Sequence, residues 1–160
     1  MKAILKLAAL GLALPFAALA HGFTLGPLQI GHPYAFVTAP GARTGAGYLS
    51  VANTGAEPDR LIAVRADFPK VEIHHTVVGG DGVARMVPIK GGVEIPPGAT
   101  AALAPRGTHV MFMGLNAPLV AGEKIPAVLV FEKAGEVAVE FNVEARKPEA
   151  APEHDHPPTN

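Results

Sequence analysis

Apolar and polar residues alternate with a period of two along most of this chain, and clusters of Gly, Pro, Asn and Asp interrupt the alternation at regular intervals. A period of two sends successive side chains to opposite faces of a strand, and the interrupting residues are those that suit turns. The runs LQIGHPYAFV, AGYLSVANTG, RLIAVRADF, KVEIHHTVV, ARMVPI, GVEIPPGATAALAP, THVMFMGL, IPAVLVFEKAG and EVAVEFNVEA read as strands. No segment holds a helical period for three turns without a breaker. About eight or nine short strands at regular spacing predict an all-β domain, an antiparallel β-sandwich or Greek-key barrel. No internal repeat is visible.

The two ends break the pattern. Residues 1–20, MKAILKLAALGLALPFAALA, set Lys2 and Lys6 ahead of a long apolar run that closes in Ala18-Leu19-Ala20. That is the layout of a secretory signal peptide with its cleavage site, which predicts a mature chain starting at His21. No later segment approaches the ~18 uninterrupted apolar residues of a membrane span. From Lys147 onward, KPEAAPEHDHPPTN is proline-rich, polar and without apolar periodicity, the composition of a disordered tail. The organisation expected is therefore a signal peptide (1–20), one domain (21–146) and a tail (147–160), in an exported and soluble protein; a monomer is the default expectation.

Composition then narrows the chemistry. Removing the signal peptide takes away two of the 13 Lys and Arg, leaving 11 against 14 Asp and Glu, a net charge of −3. Such a surface argues against nucleic acid or an anionic membrane as partner. The chain has no cysteine, although an exported protein enters a compartment where disulfides persist. Thiol nucleophiles, thiolate zinc sites and the usual blue-copper centre are excluded with it. Ser50, the only serine, lies in GYLSVAN and not in a G-x-S-x-G elbow. No H-E-x-x-H, Walker-type or G-x-G-x-x-G pattern occurs, and the scattered acids favour no glycosidase pair.

What remains is a set of histidines and methionines. In THVMFMGL, His109, Met111 and Met113 alternate with Val110 and Phe112, so one strand face collects imidazole and thioether. His74 and His75 end KVEIHH, and a hairpin through VVGGDG returns Met86 towards them. If the later strand packs at the same end of the sandwich, two histidines and two methionines converge. Taken singly, a methionine is most often a core gap-filler and a lone histidine a hydrogen-bonded side chain. Taken together, soft neutral thioethers and borderline imidazoles suit Cu(I) far better than magnesium, calcium or manganese. Thioethers also need no deprotonation to bind and cannot be lost to a disulfide.

These residues resemble the PCu(A)C family of periplasmic copper chaperones, a cupredoxin-like group. The family motif is a His, ten intervening residues, a Met, twenty-one more, and then His-x-Met, usually within HxMLMGL. Here His75 and Met86 enclose ten residues, Met86 and His109 enclose twenty-two, and HVMFMGL supplies His109 and Met111. LGPLQIGHPYAF, GAGYLSVANTGAEPDRLIAV and LNAPLVAGEKIPAVLVFEKAGEVAVEFNV are similar to the family's flanking strands, so the likeness runs over residues 24–144. Spacing points to His75 as the first ligand, whereas the single His after a VEI strand points to His74; adjacent strand residues face opposite sides, so one of the two reaches the metal. The resemblance implies a cupredoxin-like sandwich and a non-enzymatic Cu(I) carrier using His75 or His74, Met86, His109 and Met111, with Met113 in support. It implies delivery to the copper subunit of a cytochrome oxidase. A copper buffer without a dedicated acceptor, and a β-sandwich interaction module that binds no metal, are the alternatives.

Three further histidines are candidates for a second metal interaction: His154 and His156 in the tail sequence EHDH, for Cu(II), and His21, which cleavage after Ala20 would leave with a free α-amine beside its imidazole as a bidentate copper ligand. His32, in IGHPYAF, has no partner visible in sequence and reads as structural.

Overall fold

In a computed structural model of the chain, residues 22–146 are described. They form eleven strands and no helix: β1 (Gly22–Leu25), β2 (Leu28–Phe36), β3 (Thr44–Asn53), β4 (Asp59–Ala66), β5 (Lys70–Val78), β6 (Ala84–Pro88), β7 (Val93–Ile95), β8 (Thr100–Leu103), β9 (Thr108–Met113), β10 (Lys124–Phe131) and β11 (Gly135–Glu144). Each run read as a strand contains one, and GVEIPPGATAALAP contains two. It splits because the Pro-Pro-Gly segment reverses the chain, closing with a hydrogen bond from Ala99 N–H to Pro96 C=O at 3.1 Å. The short β1 is an addition to the strands expected. No helix among the described residues is long and apolar enough to cross a membrane. The segments assigned to the signal peptide and tail, with His21, His154 and His156, lie outside the described residues.

Hydrogen bonding runs continuously in the order β6-β5-β9-β3-β2-β11-β10-β4-β7, with β1 added to β2 and β8 to β3. The path folds over on itself into the expected sandwich because long strands change partners along their length. The first half of β3 pairs with β9 and the second with β8. In β2 the ladder to β3 shifts between Gly31 and Tyr34, where His32 adopts a positive φ of 44° ahead of Pro33. Before this break β2 pairs with β1; after it, Tyr34 to Phe36 run parallel to β11, the one parallel pairing among the described strands of an otherwise antiparallel fold.

Alternation decides what each face does. Val110 and Phe112 of β9, Ile73 of β5, Leu49 and Val51 of β3, and Leu129 and Phe131 of β10 all enter one core. Phe112 meets Phe141 of β11 edge to face at 5.5 Å, although two strands separate them along the path. An aromatic pair of this kind adds ~0.5–1.5 kcal/mol to its burial. Gly47 of β3 makes the pair possible, since a Cβ there would stand 2.8 Å from the Phe112 ring and 2.9 Å from that of Phe141. With Val110 and Phe112 committed to the core, His109, Met111 and Met113 necessarily turn to the outer face.

Candidate metal centre

The hairpin of β5 and β6 and the β5–β9 ladder bring the candidate residues together on that outer face. Directly opposed residues in a ladder share a face, and His74 is opposed to His109, Glu72 to Met111 and Lys70 to Met113. On the other edge of β5, Thr76 is opposed to Met86, which puts Met86 on the same face, two residues along from His74. Ala46 of β3 opposes Met111, and Tyr48 follows it on the same side. His74, Met86, His109 and Met111 therefore occupy one surface across three neighbouring strands. Met86 and Met111 line a single shallow cleft of about 160 Å3, together with Ala46, Tyr48, Phe36 and Arg146.

His75 has the opposite parity. It shares the side of Ile73, is exposed, and its Nδ1 lies 3.0 Å from Thr108 Oγ1. The ten-residue spacing that favours His75 counts along the chain, whereas the strand pleat selects His74 for the face bearing both methionines. Met113 lies on that face beyond Met111, opposed to Lys70 and Thr44, and does not line the cleft. His32 is largely exposed, with Nε2 3.2 Å from Glu144 Oε1 and its ring 4.9 Å from that of Tyr34.

The two facing imidazoles are buried, at 8% exposure for His74 and 2% for His109, and their ring centroids are 6.2 Å apart. One nitrogen of each is occupied. His74 Nε2 lies 3.0 Å from Glu72 Oε2, and a carboxylate can only accept, so Nε2–H donates. Lys70 Nζ contacts the other Glu72 oxygen at 3.0 Å. The hydrogen bond from His74, followed by that from Lys70, holds the Glu72 carboxyl below its ordinary range, which keeps it an acceptor. His109 Nδ1 lies 3.1 Å from the Gly107 carbonyl and must likewise donate.

The remaining nitrogens, His74 Nδ1 and His109 Nε2, are buried and have no hydrogen-bond partner. Burying a polar atom without a partner costs ~1–3 kcal/mol, so natural structures rarely keep one without use. In a neutral imidazole that donates from one nitrogen, the other carries a lone pair, which is the state a metal requires. A carboxylate or carbonyl holding the far nitrogen is the usual support for a ligating histidine. Among the described residues no three His, Asp or Glu side chains gather into a ligand group. The donors that complement the two imidazoles are the thioethers of Met86 and Met111, a set that fits a soft monovalent ion.

Glu72, Tyr48 and Arg146 belong to this surface and are absent from the ligand set read in the sequence. Glu72 was accessible to strand parity, being two residues before His74. Tyr48 stands 6.4 Å from the His109 ring and belongs to an aromatic group with Tyr34 and Phe36, at centroid distances of 5.1 and 5.6 Å. Arg146 sits over the Phe36 ring, 4.9 Å from its centroid. Nothing local in the sequence announces either contact.

Comparison with known proteins agrees with the fold. Residues 28–143 match the family described as "Putative lipoprotein LpqE-like". A putative lipoprotein of Leifsonia xyli subsp. xyli, Lxx21020, is 36% identical over 129 residues, covering 80% of this chain and 76% of its own. The copper-bound PCuAC domain from PmoF2 superposes with a TM-score of 0.64 at 31% identity, covering 79% of this chain and 99% of that domain. The Cu(I) form of DR1885 from Deinococcus radiodurans does so with a TM-score of 0.56 at 26% identity, over 79% of this chain and 83% of that one. The chain belongs to the LpqE-like family, and its β-sandwich is that of the PCuAC domains to which its sequence is similar.

Proposed function

We propose that this protein is a non-enzymatic carrier of Cu(I), held as cargo by His74 Nδ1, His109 Nε2 and the thioethers of Met86 and Met111. The observation that carries the reading is the pair of buried, partnerless imidazole nitrogens on the sheet face that also bears Met86 and Met111. The copper in the PmoF2 domain and the Cu(I) in DR1885 support it.

Each residue then has a defined task. Glu72 and the Gly107 carbonyl orient the imidazoles, so that no proton has to leave when the ion enters. The thioethers supply soft, uncharged donors that retain Cu(I) and discriminate against hard divalent ions. Met86, 55% exposed on the sheet's terminal strand, is the ligand an incoming acceptor can displace first. A carrier has to release what it holds, and an exposed ligand allows exchange without opening the core.

Delivery to the copper subunit of a cytochrome oxidase, in the periplasm, is the specific form of this proposal. The N-terminal residues read as an export signal, and the Leifsonia relative is named a lipoprotein. This chain has no cysteine, so none of its 160 residues can carry a thioether-linked lipid.

Anaerobic competition against a chromophoric Cu(I) chelator, run beside a Met86→Ala, Met111→Ala double variant, tests the carrier. One-to-one binding that collapses in the variant is expected, and full affinity in the variant would sink the assignment. Mixing the loaded protein with an apo oxidase copper domain then separates a chaperone from a buffer: a chaperone transfers faster to that domain than to an unrelated copper-binding protein of equal affinity.

A further inference from the structure

Among the described residues, Arg146 is the single cationic side chain lining the cleft that holds Met86 and Met111. Its guanidinium is seated over the Phe36 ring at 4.9 Å, and Phe36 is itself braced by Tyr34 at 5.4 Å and Tyr48 at 5.6 Å. Among the described residues no carboxylate lies within ion-pairing distance of it. Glu144, two positions earlier on β11, is engaged by His32 at 3.2 Å. By contrast Lys70, Arg85, Lys124 and Lys133 each have an acidic partner. A fixed cation beside a cationic cargo adds nothing to holding that cargo. It makes the loaded cleft a concentrated positive site on a chain whose formal charge is −1.

We propose that Arg146 is a docking residue for an anionic copper acceptor, a protein surface that sets carboxylates beside its own copper ligands. This rests on the Cu(I)-carrier reading and adds the kind of partner to it. The loaded cleft attracts such a surface more strongly than the empty one, because the cargo's charge and the guanidinium act together. After transfer the attraction weakens and the empty carrier leaves. Stacking on Phe36 holds the guanidinium in place, so little side-chain freedom is lost when a carboxylate arrives. Charge complementarity of this kind acts on the rate of encounter more than on final affinity, and salt screens it.

The test compares transfer of bound Cu(I) to two chelators of the same ring system, one disulfonated and one uncharged, by stopped-flow absorbance. Wild type, Arg146→Glu, Arg146→Lys and the remote charge control Lys133→Glu, in the β10–β11 turn at the far end of β11 from Arg146, are used, each first titrated for equilibrium Cu(I) affinity. Arg146→Glu should slow transfer to the sulfonated chelator ~5–10-fold at low ionic strength, leave the uncharged one within ~2-fold, and lose its effect near ~0.5 M salt. Arg146→Lys should retain most of the rate and Lys133→Glu nearly all of it. Equal slowing towards both chelators, no slowing, a rate independent of chelator concentration, or an equal effect of Lys133→Glu would overturn the docking role while leaving the carrier intact. Failure of wild type to bind Cu(I) in the preliminary titration would overturn the carrier reading and this inference with it.

Discussion

Replacing His109 by leucine should make the metal-free protein more stable and abolish the stability it gains from copper. His109 is 2% exposed and its Nε2 has no partner. Leucine, of similar volume, removes that orphan and recovers ~1–3 kcal/mol. It also forfeits the bond from Nδ1 to the Gly107 carbonyl, worth ~0.5–1.5 kcal/mol. That carbonyl is not left bare, because Thr76 N–H donates to it at 3.2 Å. The balance is a gain of ~1 kcal/mol, or roughly 3–5 °C in Tm for a domain of this size. Copper reverses the order: at a free Cu(I) concentration ~1,000-fold above its Kd, wild type gains ~4 kcal/mol by mass action and the variant almost nothing. Thermal unfolding followed by circular dichroism, with and without buffered Cu(I), reads both terms. A metal-free His109→Leu protein less stable than wild type by ~1 kcal/mol or more would refute the reasoning, since Nε2 would then have to be satisfied by water or another partner.

Other perturbations separate ligands, supports and scaffold. His74→Ala should weaken Cu(I) binding by at least ~100-fold in chelator competition while His75→Ala stays within a few-fold; Glu72→Ala, which removes only the support of His74, should fall between them at ~10–100-fold. Gly47→Ala, whose Cβ would meet the Phe112 and Phe141 rings at 2.8 and 2.9 Å, should cost ~1–3 kcal/mol in urea unfolding without changing the cleft. Burial pushes the Asp59 carboxyl up, but hydrogen bonds from the backbone N–H groups of Lys133, Arg60 and Ala134 outweigh it and leave it below the usual range. A depressed folded pKa gives stability that is fully present above the unfolded value of ~3.9 and is lost as pH falls through the folded one. Asp59→Asn should therefore lose ~1–3 kcal/mol at neutral pH and show a shallower decline in acid, measured by denaturation at a series of pH values.

The strands, and the face that gathers the candidate ligands of β9, were legible because both depend on local alternation. THVMFMGL states its two faces outright, and Val110 and Phe112 do enter the core. KVEIHH contains Glu72 two positions before His74, yet which of His74 and His75 shares the face of Met86 and Met111 turned on pairing. The ten-residue spacing runs around the β5–β6 turn and does not fix parity; only the opposition of Thr76 to Met86 and of His74 to His109 does so. Tyr48 and Arg146 reach the cleft through contacts between segments far apart in sequence, β3 with β9 and the end of β11 with β2. No periodicity encodes such contacts. GVEIPPGATAALAP read as one run because its two strands are short and its turn prolines sit inside an apolar sequence. The bulge at His32 was equally hidden, since a positive φ ahead of proline follows from β2 changing partners and not from local preference.

The most direct test of the central claim is copper K-edge X-ray absorption on the one-to-one Cu(I) protein, beside the Met86→Ala, Met111→Ala variant. Two nitrogen and two sulfur scatterers in the wild type, with the sulfur shell lost in the variant, is the result the proposed ligand set predicts. A first shell without sulfur, or one unchanged in the variant, would contradict it and return Met86 and Met111 to the role of surface and packing residues.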